Sequence, residues 1–330
     1  MKRVIQVAIG IAISVVCIWL SMREVKLDEV WRVLKGANFG GFAIVCALTI
    51  FGFWLRAVRW RMFLQPGTKI STHSLFSATM IGFMANNVLP LRLGEFVRPW
   101  VLARRERLSS SMLFATVVVE RAIDMLTLLA LFGVSLILHP IAETTEAGAL
   151  VQRGARLLIG LCSVLTVMVV VMERNRGIAH AVAGILPSAF RGRAHRLADR
   201  FLDGFGLFRD IGKLLQVFAL SIAMFLCYAV ALGISMWSLH IDVPIYAGLV
   251  MLVVTAIGIM VPAAPGYVGT LNIACVVGLK LFGVGKASSS ALGWFYFFSQ
   301  WGPITAVGLF YLNREGLSLK SLGQAHDITP

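Results

Sequence analysis

Apolar residues run along this chain in long stretches without a charge, and the charged residues gather in the gaps between them. The stretches reach about 17 residues or more, close to what a helix rising 1.5 Å per residue needs to cross ~30 Å of hydrocarbon. They predict helices at 4–22, 39–58, 70–91, 110–138, 155–172, 214–239, 245–283 with an interruption, and 288–312. The polarity does not alternate over ten-residue segments as a membrane barrel demands, so the expected fold is all-α and polytopic.

Two of these stretches interrupt themselves. Residues 86–98 read NNVLPLRLGEFVR, and basic residues flank the stretch 70–91 on both sides. Arg56, Arg59, Arg61 and Lys69 precede it, and Arg92, Arg98, Arg104, Arg105 and Arg107 follow. The positive-inside rule puts both groups in the cytoplasm, which one crossing cannot achieve. A re-entrant pair resolves the conflict: a helix to about Met84, a break at Asn86, Asn87 and Pro90, and a return helix from Gly94 to Ala103. Amides and a proline suit such a break, since backbone freed at membrane depth needs partners other than lipid. Residues 243–279 are also uncharged and would measure about 55 Å as one helix, so they too must fold back. The interruption there is VPAAPGYVG, with Pro262, Pro265, Gly266 and Gly269.

If the second pair dips from the outside, the chain has about six spanning helices, two re-entrant helix pairs and both termini in the cytoplasm. The modules 39–138 and 214–313 then enter from opposite faces and resemble an inverted repeat within a single transmembrane domain. The basic segment 174–213 falls in the cytoplasm. Arg23, Lys26, Arg32 and Lys35 fall outside, in or beside LDEVWRVLK, where Leu27, Val30, Trp31 and Leu34 share a face; an interfacial helix is expected there.

Composition agrees with this class. Hydrophobic residues make up 58% and charged residues 14% of the 330, and the mean hydropathy is +0.83; a soluble core of this size needs far less apolar content. The net charge of +14, carried beside several spans, points to an anionic lipid surface rather than nucleic acid. Cys17, Cys46, Cys162, Cys227 and Cys275 lie in separate apolar stretches and read as packing thiols. The histidines are scattered, so no metal is expected. Lys2 and Arg3 precede an apolar run with no small-residue cleavage site, which suggests a retained first helix. GVGKASS at 283–289 lacks a phosphate-loop glycine, Lys280 standing in its place, and no other catalytic motif occurs. No cofactor is expected.

The remaining chemistry lies in charges placed among valines and leucines. In VVVERAIDML, Glu120 and Asp124 share a helix face and Arg121 reaches Asp124. Such ions cost at least ~2.5 kcal/mol each to insert, so they face protein or water. They mark either a polar cavity for a headgroup, ion or proton, or a cluster neutralising Glu95, Arg98 or one another. Asn86, Asn87, Arg92, Glu95 and Arg98 favour a ligand site, because two arginines flanking a helix start suit a phosphate. Asn272 is a further candidate contact.

The blocks NNVLPLRLGEFVRPWVL, VVVERAIDML and VPAAPGYVGTLN resemble the three motifs of the lysylphosphatidylglycerol synthase transmembrane family, also called flippase-like membrane proteins. The resemblance covers roughly residues 10–313. The amide pair, proline, Gly94-Glu95 and Arg98 match the first motif, and Glu120, Arg121 and Asp124 the second. In the third, Tyr267 replaces a usual glycine and Asn272 a usual glutamate. The resemblance implies a bacterial or archaeal cytoplasmic-membrane protein acting on lipids, without the soluble aminoacyl-transfer domain of the best-known members. Its implied partners are an anionic or aminoacylated phospholipid or a polyprenyl-linked sugar, and a lipid-synthesis enzyme. The leading expectation is a lipid flippase; the alternatives are a membrane-embedded lipid-modifying transferase and an accessory subunit.

Overall fold

The computed structural model describes residues 14–23, 25–64, 70–89, 92–138, 211–260 and 265–319, together with Ala12, Gly160 and Leu322. After a helical stretch at 14–22, the described helices are α1 Leu27–Lys35, α2 Phe39–Met62, α3 Thr72–Val88, α4 Gly94–Glu106, α5 Ser110–Leu138, α6 Ile211–Ser238, α7 Ala247–Met260, α8 Val268–Lys280 and α9 Lys286–Arg314. A 3₁₀ turn, Pro265–Tyr267, precedes α8. Local chemistry starts several of them. The Asn38 side chain accepts from the Gly40 and Gly41 amides at the head of α2, and Ser71 Oγ accepts from the Ser74 amide at the head of α3; both satisfy helix donors that would otherwise have no partner.

A long helix, two short ones and another long one therefore occur twice, as α2–α5 and as α6–α9. Each short pair folds back on itself, α3 against α4 and α7 against α8. The longest seam between the two sets is α2 along α6; α9 packs on α2 and α3, and α5 reciprocates against α6 and α7. One apolar core lies around Trp60, Leu75, Ile81, Val97, Leu113 and Val117. A second surrounds Val45, Met224, Leu232, Met251, Cys275 and Phe295.

Polarity is inverted relative to a water-soluble bundle. Leu215, Ile222, Leu226, Val230 and Trp237 form an exposed stripe along α6, joined by Ile44, Phe51 and Trp54 of α2 and Phe298 and Phe310 of α9. An apolar surface this continuous is what lipid, not water, would cover. Meanwhile Thr49, Thr79, Thr127, Ser221, Ser235 and Thr255 are buried, and each hydroxyl donates to the carbonyl four residues earlier. They satisfy themselves within their own helix, as polar groups must where no water reaches. Length and hydropathy suit Phe39–Met62 and Gly212–Ser238 for crossing a membrane.

Several boundaries differ from the sequence expectation. The helix expected over 39–58 runs on to Met62, which brings Arg59 and Arg61 into it together with Arg56. Asn86 and Asn87 do not break α3, which continues to Val88, and the return helix begins at Gly94 as expected. The fold-back of 243–279 occurs, with the left-handed residues Gly266 (φ 76°) and Tyr267 (φ 58°) turning the chain into α8. Pro90, Pro262, the span 155–172 apart from Gly160, and residues 174–210 lie outside the described residues. Within 27–35, Val30 is buried while Leu27 and Trp31 are exposed.

Candidate functional site

Where α2, α4 and α5 converge, three arginines close on two carboxylates. Arg56 and Arg59 stand one turn apart at the end of α2, Arg98 lies in α4, and Glu120 and Asp124 lie one turn apart in α5. Arg56 Nη1 is 2.7 Å from Glu120 Oε1 and 2.8 Å from Asp124 Oδ2. Arg59 Nη2 is 2.6 Å from Asp124 Oδ1 and 3.3 Å from Glu120 Oε1. Arg98 Nη1 is 2.8 Å from Glu120 Oε2. All five are buried. Neighbouring groups hold the cations further: Arg59 Nη1 donates to Ser221 Oγ at 2.6 Å, and the Arg98 guanidinium lies over the Trp60 ring at 3.8 Å. Trp60 Nε1 in turn donates to Thr116 Oγ1 of α5 at 2.8 Å. Ring faces compensate guanidinium charge that no carboxylate reaches.

A second, more open layer adjoins this one. Arg121 Nε pairs with Glu95 Oε2 at 3.3 Å, both side chains about a third exposed (37% and 31%), and Arg121 Nη1 lies 3.6 Å from Asp124 Oδ2. Arg92, in the turn between α3 and α4, stacks its guanidinium 4.9 Å from the centre of the Tyr267 ring. The two fold-backs therefore meet, and each contributes a non-glycine residue in the left-handed region, Arg92 at φ 53° and Tyr267 at φ 58°. Such strain persists only where surrounding structure enforces it, and it clusters at functional sites.

The amides hold the frame of this junction. Asn86 Oδ1 accepts from the Gly94 amide at 2.8 Å, capping α4 from the last turns of α3; Asn86→Ala should cost about 1 kcal/mol by loss of that cap, read from a thermal melt. Asn87 Nδ2 donates to Thr305 Oγ1 at 3.0 Å, tying α3 to α9. Asn272 lies outside the charged junction: its side chain donates to the Ser290 carbonyl and accepts from Ser290 Oγ, both at 3.3 Å, joining α8 to α9. Gly269 makes room for the crossing 14–22 stretch, since a Cβ there would sit 2.4 Å from the Ser14 carbonyl oxygen. Arg92, Glu95, Arg98, Glu120, Arg121 and Asp124 are thus brought together. Arg56 and Arg59, which the positive-inside rule assigned only to a cytoplasmic group, belong with them. Among the described residues no group of three or more His, Cys, Asp or Glu side chains is placed to hold a metal ion.

The sequence profile of the lysylphosphatidylglycerol synthase TM region matches residues 7–308. The chain belongs to this family. Family membership and the inverted polarity together make it a helical membrane protein. A UPF0104 membrane protein of Methanothermobacter thermautotrophicus is 22% identical over 302 residues, covering 86% of this chain and 88% of the relative. Glycosyltransferase AglD of Haloferax volcanii is 29% identical over 136 residues, 41% of this chain and 22% of that protein. A UPF0104 membrane protein of Methanocaldococcus jannaschii is 26% identical over 125 residues, 37% of each. The matched regions thus span well under half of these last two relatives. No solved structure matches the chain.

Proposed function

We propose that this family member is a lipid flippase, moving the headgroup of a phospholipid or lipid-linked glycan between leaflets of the cytoplasmic membrane. The observation that carries the reading is the charged junction where the two fold-backs meet inside an apolar exterior. It gives a headgroup polar partners while acyl chains stay in hydrocarbon, which avoids the penalty of taking a bare phosphate through the core. In this reading α3–α4 and α7–α8 are re-entrant pairs entering from opposite faces, and 39–138 and 214–313 are inverted repeats with six spans and cytoplasmic termini. The twofold recurrence of long, short, short and long helices supports it.

The activity is tested with purified protein in vesicles, by leaflet-selective quenching of headgroup-labelled lipids. Exchange faster than in empty vesicles, with the lipid chemically unchanged, is expected. Turnover of a sugar or acyl donor without faster exchange would instead establish the transferase alternative, and exchange that requires a lipid-synthesis enzyme would make the chain an accessory subunit. Topology has its own check: single cysteines at 104–107, in a variant free of native cysteines, should react with an impermeant thiol reagent from the cytoplasmic side. Labelling from outside alone removes the first re-entrant pair.

A further inference from the structure

The charge at the junction does not balance. Arg56, Arg59, Arg92, Arg98 and Arg121 stand against Glu95, Glu120 and Asp124, so positive charge is in excess. In the inner layer each arginine pairs with a carboxylate; Arg56 Nε, Arg59 Nε and Arg98 Nε and Nη2 also lack a hydrogen-bond partner, but these three side chains are buried beyond the reach of a mobile headgroup. The outer layer is not closed. Arg92 makes no ion pair among the described residues, and its Nε and Nη2 are buried without a hydrogen-bond partner, as is Nη2 of Arg121. Glu95 is already engaged by Arg121. Arg92 lies against the Tyr267 ring, and Glu95, three residues on, meets Arg121, which links the four side chains.

From this arrangement, and resting on the flippase reading, we infer that Arg92, over the Tyr267 ring, and Arg121, over the Phe83 ring, receive the phosphodiester of a lipid headgroup with a net charge of −1, and discriminate against zwitterionic headgroups. A phosphodiester supplies one negative charge and two acceptor oxygens, which the two guanidinium edges lack. An ammonium on the same headgroup finds its natural partner, Glu95, occupied and two cations nearby. Arg56, Arg59, Arg98, Glu120 and Asp124 then act as positioning residues that fix α4 and α5, and so Arg92 and Arg121, around the lipid.

The test uses the full chain in mild detergent, with bound lipid counted by native mass spectrometry against equimolar phosphatidylglycerol and phosphatidylethanolamine of the same acyl chains. Wild type should favour phosphatidylglycerol by about tenfold, which is ~1.4 kcal/mol. Arg92→Gly removes the guanidinium while glycine adopts φ 53° without steric cost; its melting temperature should hold while the preference falls towards parity. Arg92→Lys should keep most of the preference. Equal binding of the two lipids by wild type, or an unchanged preference in Arg92→Gly, overturns the inference. Displacement of phosphatidylglycerol by equimolar inorganic phosphate also overturns it, by making the ligand a soluble anion. Leaflet exchange measured on the same preparations separates the two claims. Preference without exchange sinks the flippase reading alone, and exchange without preference sinks this inference alone.

Discussion

Glu120→Gln is expected to leave little folded protein. The carboxylate lies within ion-pair distance of Arg56, Arg59 and Arg98 and is completely buried. Neutralising it leaves three buried guanidinium groups with Asp124 as their only full negative charge in the inner layer. Breaking a buried pair from one side typically costs about 3–5 kcal/mol, a large share of the ~5–15 kcal/mol that holds a domain folded. Folded yield after detergent extraction, read by size-exclusion profile and thermal melt, should fall steeply. Adding Arg98→Met to Glu120→Gln removes one of the stranded cations and should restore part of the loss, the coupling that distinguishes an ion network from a simple packing defect. A Glu120→Gln protein that extracts and melts like wild type, yet has lost lipid exchange, would make Glu120 a ligand group instead of a positioning one.

Gly94→Ala should be nearly as damaging, for a reason unrelated to charge. A Cβ at Gly94 would lie 2.0 Å from the Gly82 carbonyl oxygen and 2.5 Å from Asn86 Oδ1. The first is backbone and cannot rotate away, and the second is the group that caps α4. α3 and α4 would have to separate, and Arg98, whose own Cβ lies against Gly82, would shift from Glu120. Overpacking of this kind costs roughly 1–3 kcal/mol or more, so the melting temperature should drop by several degrees. Gly308→Ala, whose Cβ would meet Met84 Cβ at 2.2 Å and the Met80 carbonyl at 2.7 Å rather than a charged group, is the comparison: it should destabilise without altering the headgroup preference of the protein that does fold.

These two residues show what the sequence could reveal and what it could not. Gly94 was legible as the start of a return helix, because a glycine after NNVLP can only mean a turn or a close approach. Glu120 and Asp124 were legible as a pair on one face, because four residues bring side chains together on any helix. Arg56 and Arg59 were misplaced because position at the end of an apolar stretch is how membrane anchors look. The discriminating signal was spacing: 56 and 59 fall on one face and are buried, while Arg61 turns away and is exposed. Which helix supplies the partners is a tertiary fact, and no local pattern encodes it. The same holds for Asn272, whose neighbour Ser290 is eighteen residues away on another helix. The meeting of the turn at Arg92 with the turn at Tyr267 joins positions 175 residues apart.

The apolar stripe on α6 has a consequence for the lipid environment itself. From Leu215 to Trp237 it rises about 33 Å along the helix, slightly more than the ~30 Å of hydrocarbon in an average bilayer. Acyl chain length is therefore a mechanical variable: thinner bilayers tilt such a helix, and thicker ones draw it upright. Since α6 lies along α2, and α2 holds Arg56 and Arg59 against the carboxylates, a change in bilayer thickness is expected to be felt at the ion network, as a shift in melting temperature between vesicles of shorter and longer acyl chains.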